Sequence, residues 1–226
     1  MTLPLVVDFK NAVITQSGLP ILKDVNFNMV EAEHCYIVGK SGSGKSSLLK
    51  AIYAEAKLSH GDGRVLNFDV KTIKRTQVPE LRRRLGMVFQ DFYLFKNWTV
   101  AHNLSFVMVA TDWRDKARIK SRVEEVLEHV GLLHYFNTKV HQLSGGEQQR
   151  LAIARAIINK PEIIIADEPT GNLDPDTADE ILYLLNRLSK ENKSAMVLAT
   201  HDYRLIEKFP ARIYRCEDGM IIPSNL

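Results

Sequence analysis

The sequence predicts an α/β fold: a mostly parallel β-sheet with helices between its strands, an antiparallel β part near the N-terminus, and a helical segment in the middle of the chain. Three observations predict it. A glycine loop, Gly39-Lys40-Ser41-Gly42-Ser43-Gly44-Lys45-Ser46-Ser47, lies between a short apolar run, His34 to Val38, and a segment with Leu48, Leu49 and Ile52 at helical spacing. Two more apolar runs, Glu162 to Ala166 and Ala195 to Thr200, suit strands buried on both faces, and each ends in polar residues. Amphipathic helical stretches separate them, as parallel strands require.

Taken in order, residues 4–33 read as antiparallel strands. Leu5 to Phe9 is β-rich, Gly18-Leu19-Pro20 marks a turn, and Val25, Phe27 and Met29 alternate with polar neighbours. The glycine loop and its helix follow. Gly61-Asp62-Gly63 reads as a second turn, leading into Val65 to Phe68. Arg82-Arg83-Arg84 is a short basic cluster with the pattern of solvated surface. Leu85 to Gln90 reads as a strand ending in a polar residue. The aromatic stretch Phe92-Tyr93-Leu94-Phe95 with Trp98 follows, suited to core packing.

Asp112 to Val130 is amphipathic, with Ile119, Val123, Val126, Leu127 and Val130 on one face and Gly131 as its stop. Ser144 and Glu147 have capping-box spacing, so a helix starts there and buries Leu151, Ala154 and Ile158. Asp174-Pro175 opens another helix, with Pro at its first position. Glu217-Asp218-Gly219 joins Arg212–Cys216 to Met220–Ile222 as a hairpin.

Bulk properties narrow the function classes. The 226 residues suffice for one α/β domain, or a core with one lobe. A net charge of +3 is too small to argue for nucleic acid, and no nucleic-acid partner is expected. Cys35 and Cys216 sit in apolar, strand-like settings and read as buried free thiols. No apolar run approaches the roughly 18–20 residues that span a bilayer. Met1-Thr2-Leu3-Pro4 lacks a basic, leader-like start. A cytoplasmic protein is expected, with any membrane role passing through a partner.

The chemistry concentrates in the glycine loop. It fits G-x-x-x-x-G-K-[ST], in which successive backbone N–H groups and a helix N-terminus surround a polyphosphate. Lys45 would reach the β- and γ-phosphates, and the Ser46 hydroxyl would bind Mg²⁺. Asp167-Glu168, at the end of an apolar strand, matches the acidic partner of such a loop. Asp167 would complete the Mg²⁺ shell through water, and Glu168 would orient or deprotonate the attacking water. Leu143-Ser144-Gly145-Gly146-Glu147-Gln148-Gln149-Arg150 repeats the same logic at a second helix start: a hydroxyl and bare glycine amides that suit an anion.

This last segment resembles the LSGGQ signature of ABC-type ATPases, and with it the resemblance covers nearly the whole chain. It implies a single domain over 1–226. Residues 1–90 and 161–226 would form the P-loop NTPase core with the antiparallel part, and 91–160 a helical lobe carrying the signature. By the same resemblance, Gln90 corresponds to the Q-loop glutamine and joins Ser46 and Asp167 around the metal. Asn172-Leu173-Asp174 corresponds to the D-loop, and His201 to the H-loop histidine that holds Glu168 and the water in line. Two copies would pair head to tail on ATP, the loop Gly39–Ser47 of one and Ser144 to Glu147 of the other enclosing each nucleotide.

The resemblance further implies an integral membrane subunit docking near Gln90, Phe92, Tyr93, Leu94, Phe95 and Trp98. Leu81 to Phe92, Ala166 to Asp174 and Ala199 to Tyr203 are most similar to the family's cell-division branch, which implies an FtsX-like partner and control of peptidoglycan hydrolysis. The lipoprotein-release and macrolide-export branches share most of these strings and form the alternative. One departure stands out. The family places an adenine-stacking aromatic at or near Thr15, but residues 10–18 contain none. Stacking is worth on the order of 1 kcal/mol, so weaker ATP affinity and looser base selectivity are expected.

Overall fold

The computed structural model describes residues 3–224; Met1 and Thr2, on which the leader reading partly rested, lie outside them. Two sheets form. The antiparallel one contains β1 (Leu5–Gln16), β2 (Leu19–Val30), β4 (Lys57–Val65) and β5 (Phe68–Asp69), in the order β2-β1-β4-β5. The second has the order β10-β9-β3-β8-β7-β6. Its strands are β3 (His34–Val38), β6 (Leu85–Phe89), β7 (Ile163–Asp167), β8 (Ala195–Thr200), β9 (Arg212–Glu217) and β10 (Met220–Ser224). All neighbours in it are parallel except the β9–β10 hairpin.

The parallel strands are buried on both faces, which is why they read as unbroken apolar runs. In β7, Ile164 and Ala166 pack on one side with α4 (Lys116–His129), α5 (Gly145–Ile157) and α6 (Pro175–Asn192). Ile163 and Ile165 pack on the other, with α1 (Lys45–Ile52) and the antiparallel sheet. Alternation in β3 does the same with Tyr36 and Val38 against Cys35 and Ile37. Both cysteines are free and buried. No helix among the described residues is long and apolar enough to cross a membrane.

Several boundaries differ from the sequence expectations. The segment Gly61-Asp62-Gly63 is no turn. It lies inside β4 where the register with β1 shifts between Lys10 and Val13. There Gly61 has φ +72°, and a Cβ on it would meet the Asn11 carbonyl oxygen at 2.2 Å, so glycine serves a bulge. The first hairpin turns at Ser17-Gly18 alone, with Leu19 and Pro20 already in β2. Three helices carried no legible period: α2 (Val78–Arg83), α3 (Val100–Ala110) and α7 (Tyr203–Lys208).

His34 ties β3 to α6: its Nδ1 lies 3.2 Å from Asn186 Oδ1 and its Nε2 3.0 Å from Ser189 Oγ. Burial, reinforced by nearby Lys190, holds its imidazole below the ordinary range, against the opposing Asn186 hydrogen bond. The unfolded chain therefore takes up a proton below about pH 6.5 that the folded chain refuses. Stability from this site is complete above that pH and lost as pH falls below it. Between pH 7.5 and 5.5 the urea midpoint should drop more in the wild type than in His34→Gln; equal drops would remove His34 from the acid response.

Candidate functional site

Four parallel neighbours, β3, β8, β7 and β6, end on the same edge of their sheet, and the chain leaves each at a residue of chemical interest. Gly39 follows β3, His201 follows β8, Asp167-Glu168 closes β7, and Gln90 follows β6. Ligand sites in open α/β sheets collect at such carboxyl ends. A cavity of about 900 Å³ lies there, lined by Lys45, Ser46, Gln90, Asp167, Glu168 and His201 among others. Residues separated by up to 185 positions in the chain, Gln16 to His201, thus share one space.

The loop Gly39–Ser47 is shaped by its own glycines. Gly42 and Gly44 have φ +77° and +112°, which side-chain-bearing residues rarely adopt. A Cβ on Gly44 would also come within 2.6 Å of Leu22 Cδ2, so β2 presses directly on the loop. Gly44 is the residue before α1, and its carbonyl accepts from Ser47 N at 2.9 Å and Leu48 N at 3.1 Å. Beneath the loop, the Cys216 thiol donates to the Ser43 carbonyl at 3.1 Å.

Lys45 is only 5% exposed. Its ammonium donates to the carbonyls of Gly39 at 2.9 Å and Lys40 at 3.1 Å and lies 3.3 Å from Glu168 Oε1. The other carboxylate oxygen of Glu168 is 2.7 Å from His201 Nδ1. Glu168 itself sits at φ +47°, a strained conformation for a non-glycine residue, held by its N–H donating to the Ala199 carbonyl at 2.9 Å. A cation, a carboxylate and an imidazole are thereby aligned across the cavity floor. Beside them, burial pushes the Asp167 carboxyl up from the ordinary range, opposed by a hydrogen bond with the Ser46 side chain.

Ser144 to Glu147 do not line this cavity. The capping box forms: Ser144 N donates to Glu147 Oε2 at 2.7 Å, and Glu147 N to Ser144 Oγ at 3.3 Å. The Tyr135 hydroxyl and the Ser144 amide hold the Glu147 carboxyl below its ordinary range. The carboxylate of Glu147 is thus committed to its own helix start, leaving the Ser144 hydroxyl and the glycine amides as the anion-suited part of the signature.

Thr15 is also absent from the cavity wall, and its hydroxyl donates to the Lys57 carbonyl at 3.2 Å. Its neighbour Gln16 and, from β2, Ile21 stand there instead. The pairing explains Ile21. Ile14 faces Leu22 while Thr15 faces Pro20, so Ile21 is the extra residue of a β-bulge and turns outward. Nothing in the local sequence pattern signals that register shift.

Of the aromatics considered for partner docking, only Tyr93 lines a second, largely apolar groove of about 430 Å³ between α2, β6, α3 and α5. Leu94 packs against the main core. Phe95 stacks on Trp98 at 4.2 Å and meets Phe106 edge-on at 5.5 Å. Arg155, from α5, donates to the carbonyls of Phe92 at 2.9 Å and Tyr93 at 2.5 Å and holds this segment over the groove. The basic cluster lies at the surface, with Arg82 and Arg83 exposed and Arg84 half-buried, and each of its residues also finds a partner. Arg82 donates to the Tyr53 carbonyl, Arg83 meets Asp112 at 2.6 Å, and Arg84 meets Glu162 at 2.8 Å.

The family described as "ABC transporter" matches residues 22–171. The cell division ATP-binding protein FtsE of Streptococcus pneumoniae is 42% identical over 206 residues, covering 91% of this chain and 89% of that protein. Its namesake in Escherichia coli is 39% identical over 202 residues, covering 89% and 90%. Among solved structures, the dimeric ATP-binding cassette MJ0796 in a post-hydrolysis state with ADP and Pi is 35% identical. It superposes with a TM-score of 0.83 over 95% of this chain and 96% of its own. The chain therefore belongs to the ABC transporter family, as one of its ATP-binding and ATP-hydrolysing subunits.

Proposed function

We propose that two copies of this chain close head to tail on ATP and drive a conformational change in an FtsX-like integral membrane partner that controls peptidoglycan hydrolysis during cell division. The observation that carries the assembly is the separation of Ser144 from the cavity holding Lys45. Each nucleotide needs the signature loop of a second copy, and the cassette MJ0796 is itself a dimer. The cell-division role rests on the FtsE relatives, which match over nearly their full length. The chain would work at the inner face of the cytoplasmic membrane, attached through its partner.

In this reading the loop amides of Gly39–Ser47 and the Lys45 ammonium bind the β- and γ-phosphates. The γ-phosphate takes Lys45 from Glu168, and as water bonds to the γ-phosphorus and the bond to ADP breaks, the freed carboxylate accepts the water's proton, leaving ADP and phosphate. His201, already 2.7 Å from Glu168, holds the carboxylate in line and contacts the γ-phosphate. Ser144 and the amides of Gly145 and Gly146 from the second copy complete the enclosure. The Ser46 hydroxyl, the Asp167 carboxylate and the Gln90 amide oxygen form a hard-oxygen set that fits Mg²⁺. When bound, Mg²⁺ would neutralise charge on the β- and γ-phosphate oxygens.

At the base end, Ile21 and Gln16 offer apolar contact and an amide but no ring. Ile21→Tyr should tighten ATP binding about threefold to tenfold, measured by fluorescent-nucleotide titration, because stacking contributes about 0.5–1.5 kcal/mol. Unchanged affinity would move the base away from Ile21.

The groove beside Tyr93 suits a short amphipathic helix of the partner. Met87, Phe89 and Val107 supply an apolar floor, and Arg82, Arg83 and Arg155 a cationic rim. Capture of the tagged chain from solubilised membranes should bring down an FtsX-like protein with the wild type. Ala110→Arg, which fills the groove, should lose it while still binding ATP. Co-purification of a transport permease instead would overturn the cell-division role.

A further inference from the structure

Gln90 and Asn172 are joined by a reciprocal pair of hydrogen bonds. The side-chain amide of Gln90 donates from Nε2 to Asn172 Oδ1 at 3.2 Å. Asn172 returns a bond from Nδ2 to the main-chain carbonyl of Gln90, also at 3.2 Å. Gly171 leaves the room for this contact: a Cβ there would stand 3.1 Å from Gln90 Nε2 and 3.2 Å from its Cδ. A primary amide has one donor end and one acceptor end. With the donor end taken by Asn172, the oxygen is the end that Gln90 presents to the cavity it shares with Ser46 and Asp167.

Free rotation about the last torsion would present the NH₂ group as readily as the oxygen, and an NH₂ facing a cation is repulsive. We infer that Asn172 is a positioning residue for ATP hydrolysis: it orients the Gln90 amide so that an oxygen, and not an NH₂ group, faces the cation site. The returned bond adds a second effect, fastening the end of β6 to the loop between β7 and α6. That loop is in turn fastened to the signature helix, because Gln149 donates to the Pro169 carbonyl. Asn172 thus links the segment beside the partner groove to the segment that carries the catalytic carboxylate. The inference rests on the reading of Gln90 as a cation ligand.

The test compares fluorescent-ATP affinity with and without Mg²⁺ in the wild type and in Gln90→Ala, Asn172→Ala, Asn172→Asp and Gln90→Ala/Asn172→Ala. Binding without Mg²⁺ should match across all five. The tightening produced by Mg²⁺ should fall about threefold to tenfold in Asn172→Ala, the equivalent of one hydrogen-bonded orientation. Asn172→Asp keeps the acceptor for Gln90 Nε2 and should retain most of the tightening. The double variant should be no worse than Gln90→Ala alone. If Gln90→Ala tightens on Mg²⁺ like the wild type, the cation reading fails and the inference with it. If Gln90→Ala loses the effect but Asn172→Ala does not, or the two losses add in the double variant, the positioning role alone is overturned. Weakened metal-free binding in Asn172→Ala would likewise assign Asn172 a structural role in its loop.

Discussion

Glu168→Gln should lower ATP turnover by about 10²- to 10⁴-fold, the contribution typical of a positioned general base, while ATP binding persists. The substitution is isosteric and keeps a partner for His201 Nδ1, now 2.7 Å from the carboxylate. What it removes is the negative charge that Lys45 faces at 3.3 Å and the capacity to take a proton from water. With hydrolysis blocked and both anion sites intact, ATP should hold two copies together. Size-exclusion chromatography with ATP should therefore show a stable dimer in the variant and a transient one in the wild type. Wild-type turnover in Glu168→Gln would place the base elsewhere. A wild type already trapped as a dimer would mark a binding scaffold without turnover.

Lys45→Ala should weaken ATP binding by about 30- to 1,000-fold, equivalent to about 2–4 kcal/mol. Lys45 is almost fully buried and carries three polar contacts, to the carbonyls of Gly39 and Lys40 and to Glu168. Removing it leaves Glu168 facing the phosphates with no cation between them, so repulsion adds to the lost attraction. Titration with a fluorescent ATP analogue measures the loss. A loss smaller than about threefold would mean that the loop amides alone carry the phosphates.

The phosphate end of the site was legible because its chemistry is local. A strand, a glycine loop and a helix are contiguous in sequence, and positive φ at Gly42 and Gly44 restricts those positions to glycine. The start of α5 was legible for the same reason, since Ser144 and Glu147 satisfy each other three residues apart. The cavity wall at Ile21 was not. Ile21 enters the cavity only because β1 and β2 slip by one residue there, and a bulge leaves no mark in an alternating pattern. Helix α3 escaped because residues on several of its faces are apolar. Leu104 and Met108 point into the core while Phe106 and Val109 stay exposed, so no amphipathic period appears. The bulge at Gly61 reads as a turn in the sequence because glycine permits both.

By itself, the order of residues determined the α/β class, the phosphate loop, the acidic pair Asp167-Glu168 and the family. The first three depend on neighbours within a few positions or on a strand buried on both faces, and the family on the resemblance carried by Leu143 to Arg150 and its companion motifs. Only the tertiary structure decided which of these residues meet. It brought Glu168 into contact with both Lys45 and His201 because β3, β8 and β7 lie side by side, in parallel, and end on one edge of the sheet. It kept Ser144 out of that cavity, opened an apolar groove beside Tyr93, and paired Gln90 with Asn172. Such contacts join residues tens to more than a hundred positions apart, and strand order and register alone set them.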